Sequence, residues 1–425
     1  MGYLRAFDEY QALSSGRSKK TAQETEFLKE RIDRYFRHVI ESCGDKHLMK
    51  GALPQQGDIR LTSNDYLSVA QHPQILRAMS ESILRDGNGI LMSGVFLHGD
   101  NPQMQFENEL AAYMRAEAGI LCQSGWCANT GLIQSIADAE TPVYIDMMAH
   151  TSLWEGIRSA GATGVPFIHN DPEHLLKQVR RHGPGVIVVD SVYSTTGSVC
   201  PLKAVVEIGL AHDCLLVVDE SHSLGTHGRD GEGLVAALGL TDQVHFRTAS
   251  LAKAFAGRAG FITCSGRFSE YFRYESNPAI FSSTLLPHDI AGLSATLQVI
   301  RKEGWRRTSL HHNADWLRAS LEGLGYNLNG SESQIISLES GAESQTLVLR
   351  DALESRGVFG SVFISPATPK NRSLIRFSLN ATLRREELMR IVEVCAEIRE
   401  EVDMPHWPST RRLQRTKPLP MELAA

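Results

Sequence analysis

Short apolar runs alternate with helix-like segments from about residue 105 onward. Two of these runs, Val186–Asp190 and Leu215–Asp219, are continuously apolar and end on an aspartate. A strand without polar alternation is typical of a parallel sheet that helices cover on both faces. The pattern therefore predicts an α/β fold with a mostly parallel central sheet, whose strands are Gly119–Cys122, Val143–Asp146, Pro166–His169, Val186–Asp190, Leu215–Asp219, Val244–Ala249 and Gly260–Cys264.

The pattern changes after about residue 300, where helices alternate with shorter strands at Gln334–Leu338 and Leu374–Leu379. Further helices are predicted at Thr25–Ser42, Asp289–Gly304, Ser309–Leu324 and Glu386–Val402. Basic residues between prolines at the C-terminus, from Arg411 to Lys417, favour a frayed tail. We therefore divide the chain into an N-terminal helical arm and linker (1–65), a large domain (66–300), a smaller C-terminal α+β domain (301–405) and a flexible tail (406–425).

Composition narrows the classes of function. The chain has 425 residues and a net charge of −6, which gives no reason to expect nucleic acid as a partner. Its seven cysteines are odd in number and scattered, which predicts reduced thiols. The sequence has neither an apolar leader nor a run of about 18 apolar residues, so we expect a cytoplasmic protein without a membrane span.

The strongest chemical signal is a carboxylate and a lysine near the ends of two predicted strands. Asp219 opens the segment Asp-Glu-Ser-His-Ser-Leu-Gly, and Lys253 lies in Ser-Leu-Ala-Lys-Ala-Phe. Pyridoxal 5′-phosphate (PLP) requires a lysine amine for its Schiff base and an anion beside its ring nitrogen. Nucleotide-binding proteins also have strands that end in Asp-Glu, but the sequence lacks the Gly-x-x-x-x-Gly-Lys-Ser/Thr loop. The pair favours a PLP enzyme over a structural role.

Other polar residues follow predicted strands in the same half of the chain. Gly125, Trp126 and Cys127 open a helix after the first strand of the sheet, where backbone N–H groups could bind a phosphate. His150 could stack on the cofactor ring, and Ser194 could donate to its phenolic oxygen. Each of these residues alone is more often structural. Their joint position at one edge of the sheet favours a site.

These segments resemble the α-oxoamine synthases, fold-type I PLP-dependent transferases that include 8-amino-7-oxononanoate, 5-aminolevulinate and serine palmitoyl synthases. The resemblance covers roughly residues 60–400 and is most specific to the bacterial synthases of quorum-sensing α-aminoketone autoinducers, whose products are precursors of α-hydroxyketone signals. The motifs that carry it are Ser63–Leu67, Gln123–Trp126, His150–Gly156, Asp219–Gly228, Thr248–Phe255, Ile280–Pro287 and Gly357–Phe363.

The resemblance implies a role for each residue around the cofactor ring. Lys253 would carry PLP and later move protons at the substrate carbon, while Asp219 would pair with the ring nitrogen. His150 would stack on the ring. Ser194 and His222 would reach the phenolic oxygen or the substrate. The catalytic residues implied are thus Lys253, Asp219 and His222.

The resemblance also implies a homodimer with shared active sites. Gly125, Trp126 and Ser250 would bind the phosphate in one subunit. Ser283 and Thr284 would reach the same phosphate from the neighbouring subunit. No metal ligand set is implied.

Two further residues are implied to bind substrate. Arg376 matches the arginine that holds the carboxylate of the amino acid, as suits a guanidinium group. Asn64, in the first of the motifs, would contact the same substrate. Taken alone, Arg376 could equally be an exposed strand residue.

The chain departs from most α-oxoamine synthases in two segments. It reads Gly87–Gly94 in place of a Gly-rich segment with Ser-Arg, and Gln103–Glu107 in place of His-x-x-Leu-Glu. These changes are consistent with an amino donor bulkier than glycine, and the resemblance suggests S-adenosylmethionine. The donor would be joined to a medium-chain acyl-CoA with loss of carboxylate, giving a long-chain α-aminoketone or enaminone.

Some interpretations stay open at this point. The apolar residues Ile90, Leu91, Met92, Val95 and Phe96 could line an acyl channel, or belong to the core or a dimer interface. The enzyme could instead be a conventional α-oxoamine synthase that uses glycine, serine or alanine, or an aminotransferase of the same fold. A non-catalytic partner subunit or a regulator would usually lack the Schiff-base lysine.

Overall fold

The computed structural model describes residues 24–41 and 46–416. The chain is divided into two compact units, residues 1–51 and residues 52–425. The described part of the first unit contains α1 (Glu26–Val39), an amphipathic helix in which Val39 is buried. The helix predicted at Thr25–Ser42 is therefore confirmed in position. Ser42 itself lies outside the described residues.

The second unit contains a seven-stranded sheet of order β2-β8-β7-β6-β5-β3-β4. Strand β8 is antiparallel to both of its neighbours, whereas the strands from β7 to β4 are parallel. The strands are β1 (Ile59–Arg60), β2 (Ala118–Cys122), β3 (Pro142–Asp146), β4 (Thr163–Phe167), β5 (Val186–Asp190), β6 (Leu215–Asp219), β7 (Phe246–Ser250), β8 (Gly260–Cys264), β9 (Ile335–Gly341), β10 (Val358–Phe359), β11 (Ser361–Phe363) and β12 (Ser373–Ser378). The predicted mostly parallel sheet is confirmed.

Helices cover both faces of this sheet. The helices after α1 are α2 (Pro73–Asp86), α3 (Pro102–Tyr113), α4 (Gly125–Ile136), α5 (Thr151–Ala160), α6 (Pro172–His182), α7 (Leu202–Ala211), α8 (Leu234–Ala237), α9 (Gly266–Glu275), α10 (Asn277–Ile280), α11 (Pro287–Lys302), α12 (Trp305–Gly323), α13 (Glu343–Glu354), α14 (Arg385–Glu397) and α15 (Pro408–Thr416). Within β5, Val186 and Val188 pack towards α4 and α5, whereas Ile187 and Val189 pack towards α6 and α7. Burial of both faces explains the continuously apolar strands.

The C-terminal region forms a three-stranded antiparallel sheet of order β11-β12-β9. Its core is continuous with that of the large sheet region, because Leu67 and Phe255 belong to the same cluster of buried residues as Ile336 and Phe377. Residues 52–425 therefore form one compact unit. The boundary at residue 300 stays a prediction.

The structure corrects the two ends of the predicted domain division. The segment from residue 52 to 65 is part of the main unit, because β1 pairs in parallel with β10 and Leu61 is fully buried. At the other end, Trp407 is fully buried and α15 follows it. Residues 406–416 are therefore folded rather than frayed. The remainder of the predicted tail lies outside the described residues.

The six described cysteines are free thiols, five of them buried, as predicted; Cys43 lies outside the described residues. Within residues 24–41 and 46–416, no helix is long and apolar enough to cross a membrane. The same residues contain no cluster of three or more potential metal-ligating side chains.

Candidate active site

A cleft of about 380 Å³ lies at the carboxyl ends of the central strands. The last residues of β5 and β6, Asp190 and Asp219, pair across the sheet, and Ser250 closes β7. Such an edge is where open α/β sheets bind ligands. The cleft is lined by Gly125, Trp126, Asn129, His150, Ser152, Asp190, Asp219, Ser221, His222, Ser250 and Lys253.

Lys253 and Asp219 face this cleft together, as predicted from their strand positions. Burial lowers the pKa of the Lys253 amine, an effect that Asp219 opposes and Arg376 reinforces. Both carboxylate oxygens of Asp219 accept hydrogen bonds from the protein. Ser221 N donates to Oδ1 at 2.8 Å, and Asn129 Nδ2 donates to Oδ2 at 2.7 Å. These two donors fix the orientation of the carboxylate.

A second carboxyl group, that of Asp190, is buried beside Asp219. Burial and the nearby Asp219 raise the pKa of Asp190 well above its ordinary value, although the backbone N–H of His150 donates to it at 3.3 Å. The raised pKa of Asp190 reflects the cost of a second buried negative charge next to Asp219.

The N-terminus of α4 borders the cleft. A Cβ at Gly125 would lie 2.6 Å from the Cβ of Ser250, so only glycine allows α4 to begin this close to β7. The Cys127 N–H, however, donates to the side chain of Ser124 at 3.1 Å, and Cys127 does not line the cleft. The structure thus brings Gly125, Trp126 and Ser250 together but leaves the predicted ligand Cys127 out of the cleft lining, because the Ser124 side chain caps the helix by accepting from the Cys127 N–H.

Two neutral imidazoles face the cleft. Burial lowers the pKa of His150, whose Nδ1 lies 2.7 Å from Ser152 Oγ and whose ring is edge-on to Trp126. Burial, followed by the nearby Lys253, lowers the pKa of His222 well below its ordinary value. The Nδ1 atom of His222 lies 2.6 Å from the hydroxyl of Tyr66.

Arg376, Asn64 and Ser194 form a neighbouring cluster that does not line the cleft. Arg376 Nη1 donates to the carbonyl of Ser194 at 2.8 Å, and Nη2 donates to Asn64 Oδ1 at 3.1 Å. Tyr66 joins this cluster to His222, because its hydroxyl also lies 3.3 Å from Asn64 Oδ1. Ser194 thus contacts Arg376 through its main chain, and the predicted role of its hydroxyl stays untested.

Ser283 and Thr284 lie away from this cleft and pack against a segment of their own chain. Thr284 N donates to the carbonyl of Met92 at 2.9 Å, and Ser283 forms a β-bridge with Ser93. Their contribution to the site of a second subunit stays a prediction.

In the same region, the side chains of Ile90, Leu91 and Phe96 are exposed on the single chain. A core role for these three residues is therefore wrong. The channel and the interface are left as alternatives for them.

Several site residues were not predicted. Asn129, Ser152, Asp190 and Ser221 line the cleft, and Tyr66 contacts His222. Asp190 carried a usable signal, because it closes an apolar run in the same way as Asp219. The contacts of Asn129 and Tyr66 depend on the tertiary structure.

The residues of the cleft fit PLP. A lysine amine with a lowered pKa, an oriented carboxylate, a flat neutral imidazole and a glycine at a helix N-terminus are the groups that this cofactor requires. In addition, the buried Oδ1 of Asn129 has no hydrogen-bond partner among the described residues.

Several known proteins are similar to this chain in sequence and fold. Residues 56–394 match the family model of class I and II aminotransferases. The chain belongs to this family. It is 49% identical over 379 residues to the CAI-1 autoinducer synthase of Vibrio campbellii, covering 89% of this chain and 96% of that protein. It is 30% identical to the serine palmitoyltransferase of Bacteriovorax stolpii, covering 88% of this chain and 89% of that one.

A solved structure supports the fold. The serine palmitoyltransferase of S. paucimobilis, with a bound PLP–myriocin aldimine, superimposes with a TM-score of 0.83 at 24% identity, covering 90% of this chain and all of that one. This likeness confirms the predicted fold-type I architecture. The family model and the sequence relatives confirm the likeness to the α-oxoamine synthases and the PLP cofactor. The chain is a PLP-dependent acyltransferase.

Proposed function

We propose that this enzyme condenses a medium-chain acyl-CoA with S-adenosylmethionine in the cytoplasm, with loss of carboxylate. Coenzyme A leaves from the thioester, the carboxylate leaves as carbon dioxide, and methylthioadenosine leaves from the donor when the product is an enaminone. This long-chain α-aminoketone or enaminone is the precursor of a quorum-sensing autoinducer. The convergence of Lys253, Asp219 and His150 on one cleft carries the proposal for the chemistry. The 49% identity to a CAI-1 autoinducer synthase supports the proposed product class.

PLP, when bound, supplies an electron-withdrawing ring that stabilises negative charge at the α-carbon of the amino donor. The cleft residues determine where protons are held around that carbon. Lys253 has a lowered pKa, so a larger fraction of its amine is neutral and can accept a proton. Asp219 lines the cleft, and its two carboxylate oxygens are oriented by Ser221 and Asn129.

Arg376 is proposed to bind the carboxylate of the amino donor. Its guanidinium group is buried and lies over the Phe363 ring, 4.7 Å from the ring centroid. Two of its N–H groups are used by Ser194 and Asn64, and Nε has no partner among the described residues. A buried guanidinium with unused N–H groups favours an anionic ligand. Asn64, which shares its Oδ1 with Arg376, would hold that group in place.

The functional unit is proposed to be a homodimer in which Ser283 and Thr284 complete the phosphate site of the partner. On the single chain, Ile90 is 78% exposed and Phe281 is 80% exposed. Exposed apolar side chains of this size are typical of interaction surfaces. Mixed dimers of Lys253→Ala chains and Ser283→Ala/Thr284→Ala chains test this proposal. If the sites are shared between subunits, each mixed dimer should contain one intact site and regain activity. If each site is built from one chain, no mixed dimer should contain an intact site.

The test of the function is mass spectrometry of products from octanoyl-CoA and decanoyl-CoA, each incubated with S-adenosylmethionine, glycine, serine or alanine. The proposal expects an aminoketone or enaminone and free CoA with S-adenosylmethionine as donor. Lys253→Ala is the matched control and should give no product. Turnover with glycine, serine or alanine alone would favour a conventional α-oxoamine synthase and refute the proposed donor.

A further inference from the structure

Asn129 lies in the first turns of α4, where its side chain is buried and contacts two other residues of the cleft. Its Nδ2 donates to Asp219 Oδ2 at 2.7 Å and to Ser152 Oγ at 2.9 Å. Only a donor can face a carboxylate oxygen at this distance, so the Asp219 contact fixes which way the amide points. Both N–H groups of the amide are therefore used.

The second contact of Asn129 continues to His150. Ser152 Oγ lies 2.7 Å from His150 Nδ1, and the backbone N–H of Ser152 donates to the same nitrogen at 3.3 Å. Because Nδ1 accepts the backbone N–H, the ring proton resides on Nε2. The Ser152 hydroxyl then donates its proton to Nδ1 and accepts from Asn129. With the ring proton on Nε2, the hydrogen bonds run in one direction, from Asn129 to Ser152 and from Ser152 to His150.

We infer that Asn129 is a positioning residue that orients Asp219 and His150 at the same time through its two N–H groups. The inference rests on the roles proposed for Asp219 and His150. A side chain without two donors on one nitrogen cannot hold both contacts. Ionised aspartate has none, leucine has none, and the alcohol of serine or threonine has one. The amide thus connects the carboxylate assigned to the ring nitrogen with the imidazole assigned to the ring face.

The inference predicts a loss of PLP affinity when the amide is removed. Asn129→Leu and Asn129→Asp should each weaken PLP binding about tenfold to a hundredfold, since each removes a buried hydrogen bond to a charged group. The aspartate variant keeps the size of the side chain but places a second acid against Asp219. Compared with the wild type at the same pH, the loss of affinity in the aspartate variant should be smaller at acid pH, where the introduced carboxyl is protonated and can donate again.

Two matched controls separate the two contacts from general packing. Ser152→Ala removes the contact to His150 and leaves the one to Asp219, so PLP affinity should fall by no more than about fivefold. Thr130→Val changes the next residue of the same helix, whose hydroxyl bonds only to carbonyls of that helix, and PLP affinity should not change. Thermal unfolding of each full-length holoenzyme shows whether it is folded.

The deciding experiment is a double-mutant cycle on the PLP dissociation constant, which requires no substrate. If Asn129 acts by orienting Asp219 and His150, Asn129→Leu in an Asp219→Ala chain should weaken PLP binding only by the loss through His150, which is at most the roughly fivefold effect of Ser152→Ala. Equal weakening in both backgrounds would assign Asn129 a purely structural role and overturn the inference. It is also overturned if both Asn129 variants bind PLP within twofold of the wild type, or if Asp219→Ala itself leaves the affinity unchanged. The acyl-transfer assay does not enter this cycle, so failure of the proposed reaction is a distinct result.

Discussion

Substitution of Gly125 by alanine would place a methyl group between α4 and the end of β7. That Cβ would lie 2.6 Å from the Ser250 Cβ and 2.9 Å from its Cα, whereas ordinary contacts begin at 3.4 Å. The start of α4 would have to move away by roughly 0.8 Å, because the Ser250 Cβ cannot be moved by a change of rotamer and the Ser250 Cα belongs to the backbone. Overpacking of this kind costs about 1–3 kcal/mol of the free energy of unfolding.

A displaced helix start also moves the N–H groups proposed to bind the PLP phosphate. Loss of one such charge-assisted hydrogen bond should raise the PLP dissociation constant about tenfold or more. Gly323→Ala is the matched control, because that glycine ends α12 and a methyl group added there would meet no atom within 4 Å. Chemical denaturation and PLP titration measure both effects. The reasoning is refuted if Gly125→Ala unfolds within about 0.5 kcal/mol of the wild type and binds PLP equally well.

Three other outcomes are expected. Cofactor-free enzyme should take up PLP faster as pH rises through the lowered pKa of Lys253. Arg376→Leu removes a positive charge that lowers this pKa, so the rise in the uptake rate should move to higher pH. A rise that moves to lower pH would contradict this prediction. A chain that ends at Trp407 loses the ion pair of Arg412 with the buried Glu339, and should be less stable by about 1–3 kcal/mol in denaturant titrations, whereas a frayed tail would give no change. Phe281→Asp should convert the proposed homodimer into a monomer in light scattering, and an unchanged dimer mass would exclude this surface from the interface.

The strands that carry the site could be predicted from sequence because both of their faces are buried. The bounds of β5 and β6 agree residue for residue with the predicted runs. Strand β4 begins three residues earlier than predicted, at Thr163. It lies at the edge of the sheet, where exposed residues interrupt the apolar pattern and Pro166 is tolerated.

The contacts that organise the site could not be predicted, because their partners are far apart in the sequence. Asn129 meets Asp219 across 90 residues, and Tyr66 meets His222 across 156. Local patterns carry no information on which buried polar groups pair. The C-terminal helix escaped prediction for the same reason, since Glu339, the partner of Arg412, lies on β9.

The pairing of β1 with β10 has a consequence for synthesis of the chain. Ile59 pairs with Val358, a residue that leaves the ribosome about 300 residues later. At roughly 5–20 residues per second, the early strand waits about 15–60 seconds for its partner. Asn64 and Tyr66 come a few residues after that strand. Their hydrogen-bonded cluster with His222 and Arg376 can therefore be completed only near the end of translation. During synthesis, Lys253 and Asp219, which are proposed to bind PLP, therefore leave the ribosome before Arg376, which is proposed to bind the donor carboxylate.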